Sequence, residues 1–222
     1  MTIYDPRGGE TRPNLLLIFS DQQHWRALGH QDDFFETPNL DRLTEEGVTF
    51  SRAFCTTPQC SPSRSSMFTG FYPSTTGVMG NIGAYGGAPL AMPTVATALQ
   101  DLGYRTGYFG KWHLGRQPVG TAGWDTAFGV METRRPTDAE TTERALSFLR
   151  KRFDTAGDCE PFALFLSYND PHDVYHFDPD NPIHPGDAGV PESWHVQAFE
   201  QVPRVQRQFM TEDQGTLLWG RD

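Results

Sequence analysis

Cysteine is scarce in this chain, with three in 222 residues. An odd, sparse set makes no disulfide framework. Cys55 and Cys60 also lack a matching Cys or His pair at knuckle spacing, so a structural zinc site has no support. Basic residues are in deficit: 18 Lys and Arg stand against 28 Asp and Glu, a formal net charge of -10. That excludes a general nucleic-acid binder with a basic stripe. It leaves room for a local cationic pocket that takes small anions. Long apolar runs are missing as well. Leu15–Phe19 is far too short to span a bilayer, and "MTIYDPRGGETRPN" shows no basic n-region followed by an apolar h-region. The expectation is a soluble, cytoplasmic protein with no membrane and no nucleic-acid partner.

Glycine and proline are plentiful, at 22 and 17 residues, which points to long connections between elements. "NLLLIFSD" is a short, continuous apolar run ending in a polar pair, the pattern of a buried parallel strand. "TPNLDRLTEEG" reads as a helix with Thr37 as N-cap, Pro38 in its first turn and Gly47 as terminator. "VTFSRAF" alternates and reads as a strand. A helix is expected over Ser61–Thr69, closed by Gly70, and another in "PTVATALQDLG", closed by Gly103. "YRTGYFG" is a strand, "TDAETTERALSFLRKRF" a helix with a capping box, Thr137 with Glu140, and "PFALFLSYNDPHD" a second apolar strand. Helices alternating with apolar strands predict an α/β fold with a mostly parallel central sheet flanked by helices. No repeat or low-complexity tract is visible. Residues 178–222 read as Pro-rich loop.

In such sheets, sites gather at the carboxyl ends of strands. Three polar clusters lie there: Asp21 with Gln22, Lys111 with His113, and Asp170 to Asp173, which includes His172. Asp21 and Gln22 offer oxygens suited to a hard cation, or simply start a solvated loop. Lys111 and His113 alternate, so an extended segment would turn both to one side. Cys60 opens a helix and has Arg64 one turn along. A helix N-terminus and a nearby cation both favour an anion. The position therefore reads either as an anion site containing a thiol or as a buried structural cysteine.

The stretch "CSPSRSSMFTGFYPSTTGV" resembles the C-x-P-S-R signature of the type I, formylglycine-dependent sulfatases. "RPNLLLIFSDQ", "TPNLDRLTEEGVTFSRAFCTTPQCSPSR", "GYRTGYFGKWHLG" and "FLSYNDPHD" are similar to that family in the same order, over roughly residues 12 to 175. The resemblance implies an alkaline-phosphatase-like fold, of which this chain is the N-terminal part only. Residues 1–12 are then a tail, and 13–222 the N-terminal portion of a catalytic domain that is truncated.

The resemblance also implies roles. Cys60 is oxidised by a formylglycine-generating enzyme to Cα-formylglycine, whose hydrate carries the reaction. One hydroxyl attacks sulfur and expels the alcohol, and the other expels sulfate and restores the aldehyde. Asp21, Gln22 and the residue-60 oxygen ligate a divalent cation, Ca²⁺ ahead of Mg²⁺. Arg64 holds the hydrate oxygen, Lys111 neutralises charge on the sulfate, His113 assists breakdown of the sulfated hemiacetal, and His172 contacts sulfate near the leaving oxygen. The substrates implied are carbohydrate or small-molecule sulfate esters, or sulfamates.

This chain departs from the family pattern in two places. Gln22 stands where many members have a second aspartate, which keeps a phosphonate or phosphate monoester hydrolase of the same superfamily in view. The later strand that completes the metal site is missing, and "MTEDQG", with Asp213 and Gln214, is a poor match for it. The expectation is little turnover by the chain alone, with a companion chain supplying the missing half. The competing reading is an inactive remnant that binds sulfated ligand or a partner.

Overall fold

The computed structural model describes residues 12–83, 87–115, 123–128, 136–154 and 160–172. These fall into two compact units, one built from residues up to Asp21 and from Phe54 onward, the other from Gln22–Ala53. The expectations for residues 178–222 and for Asp213 and Gln214 lie outside the described residues.

The first unit is organised by a parallel sheet. Its strands are β1 (Leu15–Asp21), β2 (Arg105–Gly110), β3 (Thr126–Phe128) and β4 (Phe162–Pro171), in the order β1-β4-β2-β3. Every pairing is parallel, as the continuous apolar runs predicted. β3 is too short to announce itself in the sequence. The Asp125 carboxylate fixes it, accepting from the Thr106 amide at 2.7 Å and from Gln100 at 2.6 Å.

Side chains on β2 and β4 alternate between two cores. Tyr108, Ala163 and Phe165 join Phe68, Val78, Leu99, Trp112 and Trp124 on one side. Phe109, Phe162, Leu164 and Leu166 join Ala145 on the other. The first side is covered by α2 (Cys60–Thr69) and α4 (Val95–Asp101), the second by α5 (Asp138–Asp154), with the short α3 (Pro73–Thr76) following α2. Aromatic packing is dense around Phe68. Trp112 lies 5.3 Å from its ring centroid, and Trp124 meets Phe165 edge-on at 4.8 Å. Each such pair contributes about 0.5–1.5 kcal/mol beyond the area it buries.

Local signals account for the helix ends. Gly70 closes α2 in the left-handed region at φ 75°, its amide bonded to the Ser66 carbonyl. Thr94 caps α4 by accepting from the Ala96 amide. The capping box of α5 forms in both directions: Thr137 N–H donates to Glu140 at 2.9 Å, and Glu140 N–H to the Thr137 hydroxyl at 3.1 Å. Among the described residues no helix is long and apolar enough to cross a membrane.

The second unit holds one helix, α1 (Pro38–Glu46), with Pro38 at its first turn as expected. Thr37 is the N-cap residue and Gly47 the C-cap, as expected, but the cap bond and one further expectation are not met. The Thr37 side chain does not cap α1; its oxygen accepts the Gly29 amide at 2.8 Å and donates to Asp41 at 3.0 Å. The "VTFSRAF" segment is not a strand either. Alternation alone does not make one, because a strand needs a paired neighbour and a buried face, and Val48 and Phe50 are 82% and 80% exposed.

Candidate functional site

Two carboxyl-terminal strand ends, the interior of a third strand and one helix start converge. Asp21 ends β1, Lys111 follows β2, Ser167 lies within β4, and Cys60 is the first residue of α2. The glycine before Lys111 makes this possible. Gly110 has φ 104°, and a Cβ there would collide with the Ser167 carbonyl oxygen. Only glycine lets β2 run so close to β4. Lys111 then resumes the ladder by donating its amide to that same carbonyl at 3.1 Å.

Asp21 stands at the centre. Its Oδ2 accepts from Arg64 Nη2 at 3.1 Å and pairs with the Lys111 ammonium. Its Oδ1 faces the Cys60 thiol, with Sγ at 3.8 Å. Lys111, 1% exposed, reaches the same sulfur with Nζ at 3.7 Å. Burial pushes the Asp21 carboxyl up, but the Arg64 and Lys111 charges outweigh it and hold the group below its ordinary range. Two buried cations against one carboxylate leave a net positive charge beside residue 60. Such a place suits an anionic ligand.

Arg64 is immobilised on every side. Its Nη1 donates to the Lys111 carbonyl at 2.5 Å, to Ser167 Oγ at 2.9 Å and to Tyr108 at 3.3 Å. The Tyr108 hydroxyl donates to that Lys111 carbonyl too, at 2.5 Å. Tyr108 and Ser167 were not singled out from the sequence. The available signal was a hydroxyl placed inside otherwise apolar strand runs, where it needs a buried partner.

His113 adopts φ 55°, so the extended run expected to carry Lys111 and His113 to one side does not continue through it. Its ring nonetheless lies within electrostatic reach of Lys111, Arg64 and Asp21. Burial first, then the Lys111 charge, brings its pKa down to about 4. His172, past the end of β4, is close enough to Asp21 for its charge to help keep that carboxylate ionised. Asp138, in the first turn of α5, steadies the chain before it by accepting the Asn169 and Asp170 amides at 2.7 and 3.0 Å. The structure thus brings together Asp21, Cys60, Arg64 and Lys111, with His113 and His172 near. Gln22, at φ 65°, begins the second unit.

A family model described as Sulfatase matches residues 13–184. The chain belongs to the sulfatase family. It is 43% identical over 109 residues to the ulvan-active sulfatase of Formosa agariphila, covering 47% of this chain and 20% of that protein. It is 38% identical over 131 residues to human arylsulfatase G, covering 55% and 25%. A crystal structure of Ps i-CgsB in complex with k-i-k-neocarrahexaose is similar with a TM-score of 0.60 at 27% identity, covering 73% of this chain and 46% of that one. A phosphonate monoester hydrolase of Agrobacterium radiobacter shares the fold, with a TM-score of 0.55 at 22% identity over 82% of this chain and 47% of that one. The sulfatase chain described here spans about a fifth to a quarter of the length of these curated relatives and less than half of these structures. The expected alkaline-phosphatase-like architecture, a parallel sheet with helices on its faces, is what the first unit shows.

A divalent cation needs about six to eight oxygens if it is calcium. Among the described residues no three His, Cys, Asp or Glu side chains gather to hold a metal ion. Asp21 offers Oδ1, directed at residue 60, while Oδ2 is committed to two cations. The described residues therefore fit part of a cation site and do not complete one.

Proposed function

We propose that this chain is the nucleophile-bearing part of a sulfatase that hydrolyses sulfate esters, carbohydrate sulfates first among them, or sulfamates, through a Cα-formylglycine made from Cys60. The observation that carries the reading is the convergence of Asp21 Oδ1 and Lys111 Nζ on the Cys60 side chain at the start of α2. The thiol sulfur stands in for the hydrate carbon's oxygens. A hydrate supplies two hydroxyls: one attacks sulfur as the alcohol leaves, and the other expels sulfate and restores the aldehyde. Lys111 sits where it balances the charge of the sulfate. His113 and His172 serve the proton transfers at the hydrate and the leaving oxygen. Arg64 spends its donors on Lys111, Ser167, Tyr108 and Asp21. Its part is thus to hold the Lys111 backbone and the Asp21 carboxylate, more than to touch the hydrate itself.

Asp21 and Gln22, with an oxygen of residue 60, would hold a divalent cation, Ca²⁺ ahead of Mg²⁺. When bound, it polarises the sulfuryl oxygens. The remaining ligands come from outside the described residues, either elsewhere in the same polypeptide or in a companion polypeptide. The uncovered apolar strand β1 supports this, because Leu16 and Ile18 are 54% and 55% exposed. A formylglycine-generating enzyme is the other partner required. A relative named for acting on ulvan, and a similar structure solved with k-i-k-neocarrahexaose, support a carbohydrate sulfate.

Gln22 favours a second reading. A neutral oxygen in place of a carboxylate leaves the cation site less negative, which fits the dianion of a phosphate monoester, and phosphonate monoester hydrolases share the fold. Hydrolysis of an aryl sulfate and of phenyl phosphonate by native-host material, beside the Cys60→Ala variant, separates the readings. Sulfate release that vanishes in the variant supports the first, and faster phosphonate turnover supports the second. Binding of a sulfated sugar without turnover supports an inactive remnant instead.

A further inference from the structure

The residue after Cys60 is Ser61, fully buried, and the family reading gives it no task. Its hydroxyl donates to the His113 carbonyl at 2.7 Å and accepts from the Ile82 amide at 3.2 Å. Its own amide donates to Asn81 Oδ1 at 3.0 Å. The Ile82 carbonyl in turn meets His113 Nε2 at 3.3 Å. The 81–82 peptide is thus clamped to the start of α2 by Ser61 and Asn81, and the carbonyl of the next peptide, 82–83, touches the imidazole. The Ser61 hydroxyl also holds His113 from behind, at a backbone whose φ of 55° is uncommon for a non-glycine residue.

The chemistry of the contact assigns the proton. A carbonyl oxygen only accepts, so Nε2 must carry the hydrogen, and in a neutral ring Nδ1 is left with the lone pair. Nδ1 is buried and has no hydrogen-bond partner among the described residues. A buried, unsatisfied acceptor is costly unless something is meant to occupy it.

We propose that Ser61 and Asn81 are positioning residues that use the Ile82 peptide to hold His113 with its proton on Nε2 and its accepting lone pair on Nδ1. This rests on the reading that His113 transfers protons at residue 60, and it adds which nitrogen is free to accept one: Nδ1, while Nε2 stays bonded to Ile82. The unspecified position of the C-x-P-S-R stretch is thereby given a task, setting the base.

The test needs no turnover. The full chain is labelled with ¹⁵N-histidine, and long-range ¹H–¹⁵N correlation spectra are recorded at neutral pH, with His113 assigned from its loss in His113→Gln. The expected result is a protonated Nε2 and an unprotonated Nδ1. Asn81→Ala and Ser61→Ala should collapse that pattern to the averaged signals of exchanging tautomers. Asn81→Asp, whose carboxylate still accepts from the Ser61 amide, should keep it. A wild-type ring protonated on Nδ1 would overturn the proposal, even if every variant failed to fold. So would a fixed Nε2–H tautomer that survives both alanine changes. Failure of the sulfatase reading would appear separately, as an unmodified Cys60.

Discussion

Arg64 Nη2 and Asp21 Oδ2 lie 3.1 Å apart with both side chains buried, joining the helix that begins at Cys60 to the end of β1. The pair sits under the reactive position and sets where the Asp21 carboxylate and the Lys111 backbone stand. Removing one partner of a buried, hydrogen-bonded pair costs about 3–5 kcal/mol, because a charge is left uncompensated. Arg64→Ala should lower the unfolding free energy by that order. Arg64→Lys should recover only part, since a single ammonium nitrogen does not reproduce the planar fork whose Nη2 serves Asp21 while Nη1 serves Ser167 and the Lys111 carbonyl. Urea unfolding of the three proteins checks this.

Gly110→Ala should destabilise by more than about 1 kcal/mol. Its φ is 104°, and a methyl group would strike the Ser167 carbonyl. Gly70→Ala is the control: φ is 75° but nothing lies within 4 Å of the added carbon. The loss at Gly110 should exceed that at Gly70, as read from denaturant midpoints.

Stability should fall with acid through His113. Its folded pKa is about 4 against an ordinary 6.5. As pH drops below 6.5 the unfolded chain takes up this proton first, so unfolding is favoured progressively until the folded ring also titrates near 4. Above 6.5 the contribution is constant. His113→Gln should flatten the stability profile between pH 7 and pH 5, measured as the change in urea midpoint; an equally steep profile would show that other groups dominate.

Lys111→Ala should reduce sulfate-ester turnover by a factor on the order of 10²–10³, the usual cost of losing one preorganised charge-stabilising donor. The change should fall mainly on kcat. Asp21 keeps Arg64 as partner, so the fold should survive, and circular dichroism provides that control.

The apolar strand β1 should drive association. A long, exposed apolar strand at a sheet edge is a template for pairing. Leu16→Lys with Ile18→Lys should shift the chain toward monomer in sedimentation velocity, and should weaken capture of a companion polypeptide. Unchanged sedimentation would remove β1 as the contact.

Much of the fold was legible because its signals are local. Continuous apolar runs marked β1, β2 and β4, and glycine or threonine marked the ends of α2, α4 and α5. The "VTFSRAF" segment misled because its alternation imitates a strand, whereas exposure depends on neighbours no local pattern reveals. The clustering of Asp21, Cys60, Arg64 and Lys111 followed from their places at strand ends. Tyr108, Ser167, Ser61 and Asn81 escaped notice, since their value lies in contacts such as Ser61 to His113, separated by fifty-two positions.

The central claim is that residue 60 works as an aldehyde. It is tested most directly by the intact denatured mass of the chain purified from its native host, with the modified peptide located by fragmentation. Conversion of the Cys60 thiol to formylglycine lightens the chain by about the mass of one water molecule. That deficit, mapped to residue 60, is the predicted result. A full-mass chain with an unmodified Cys60 would contradict it.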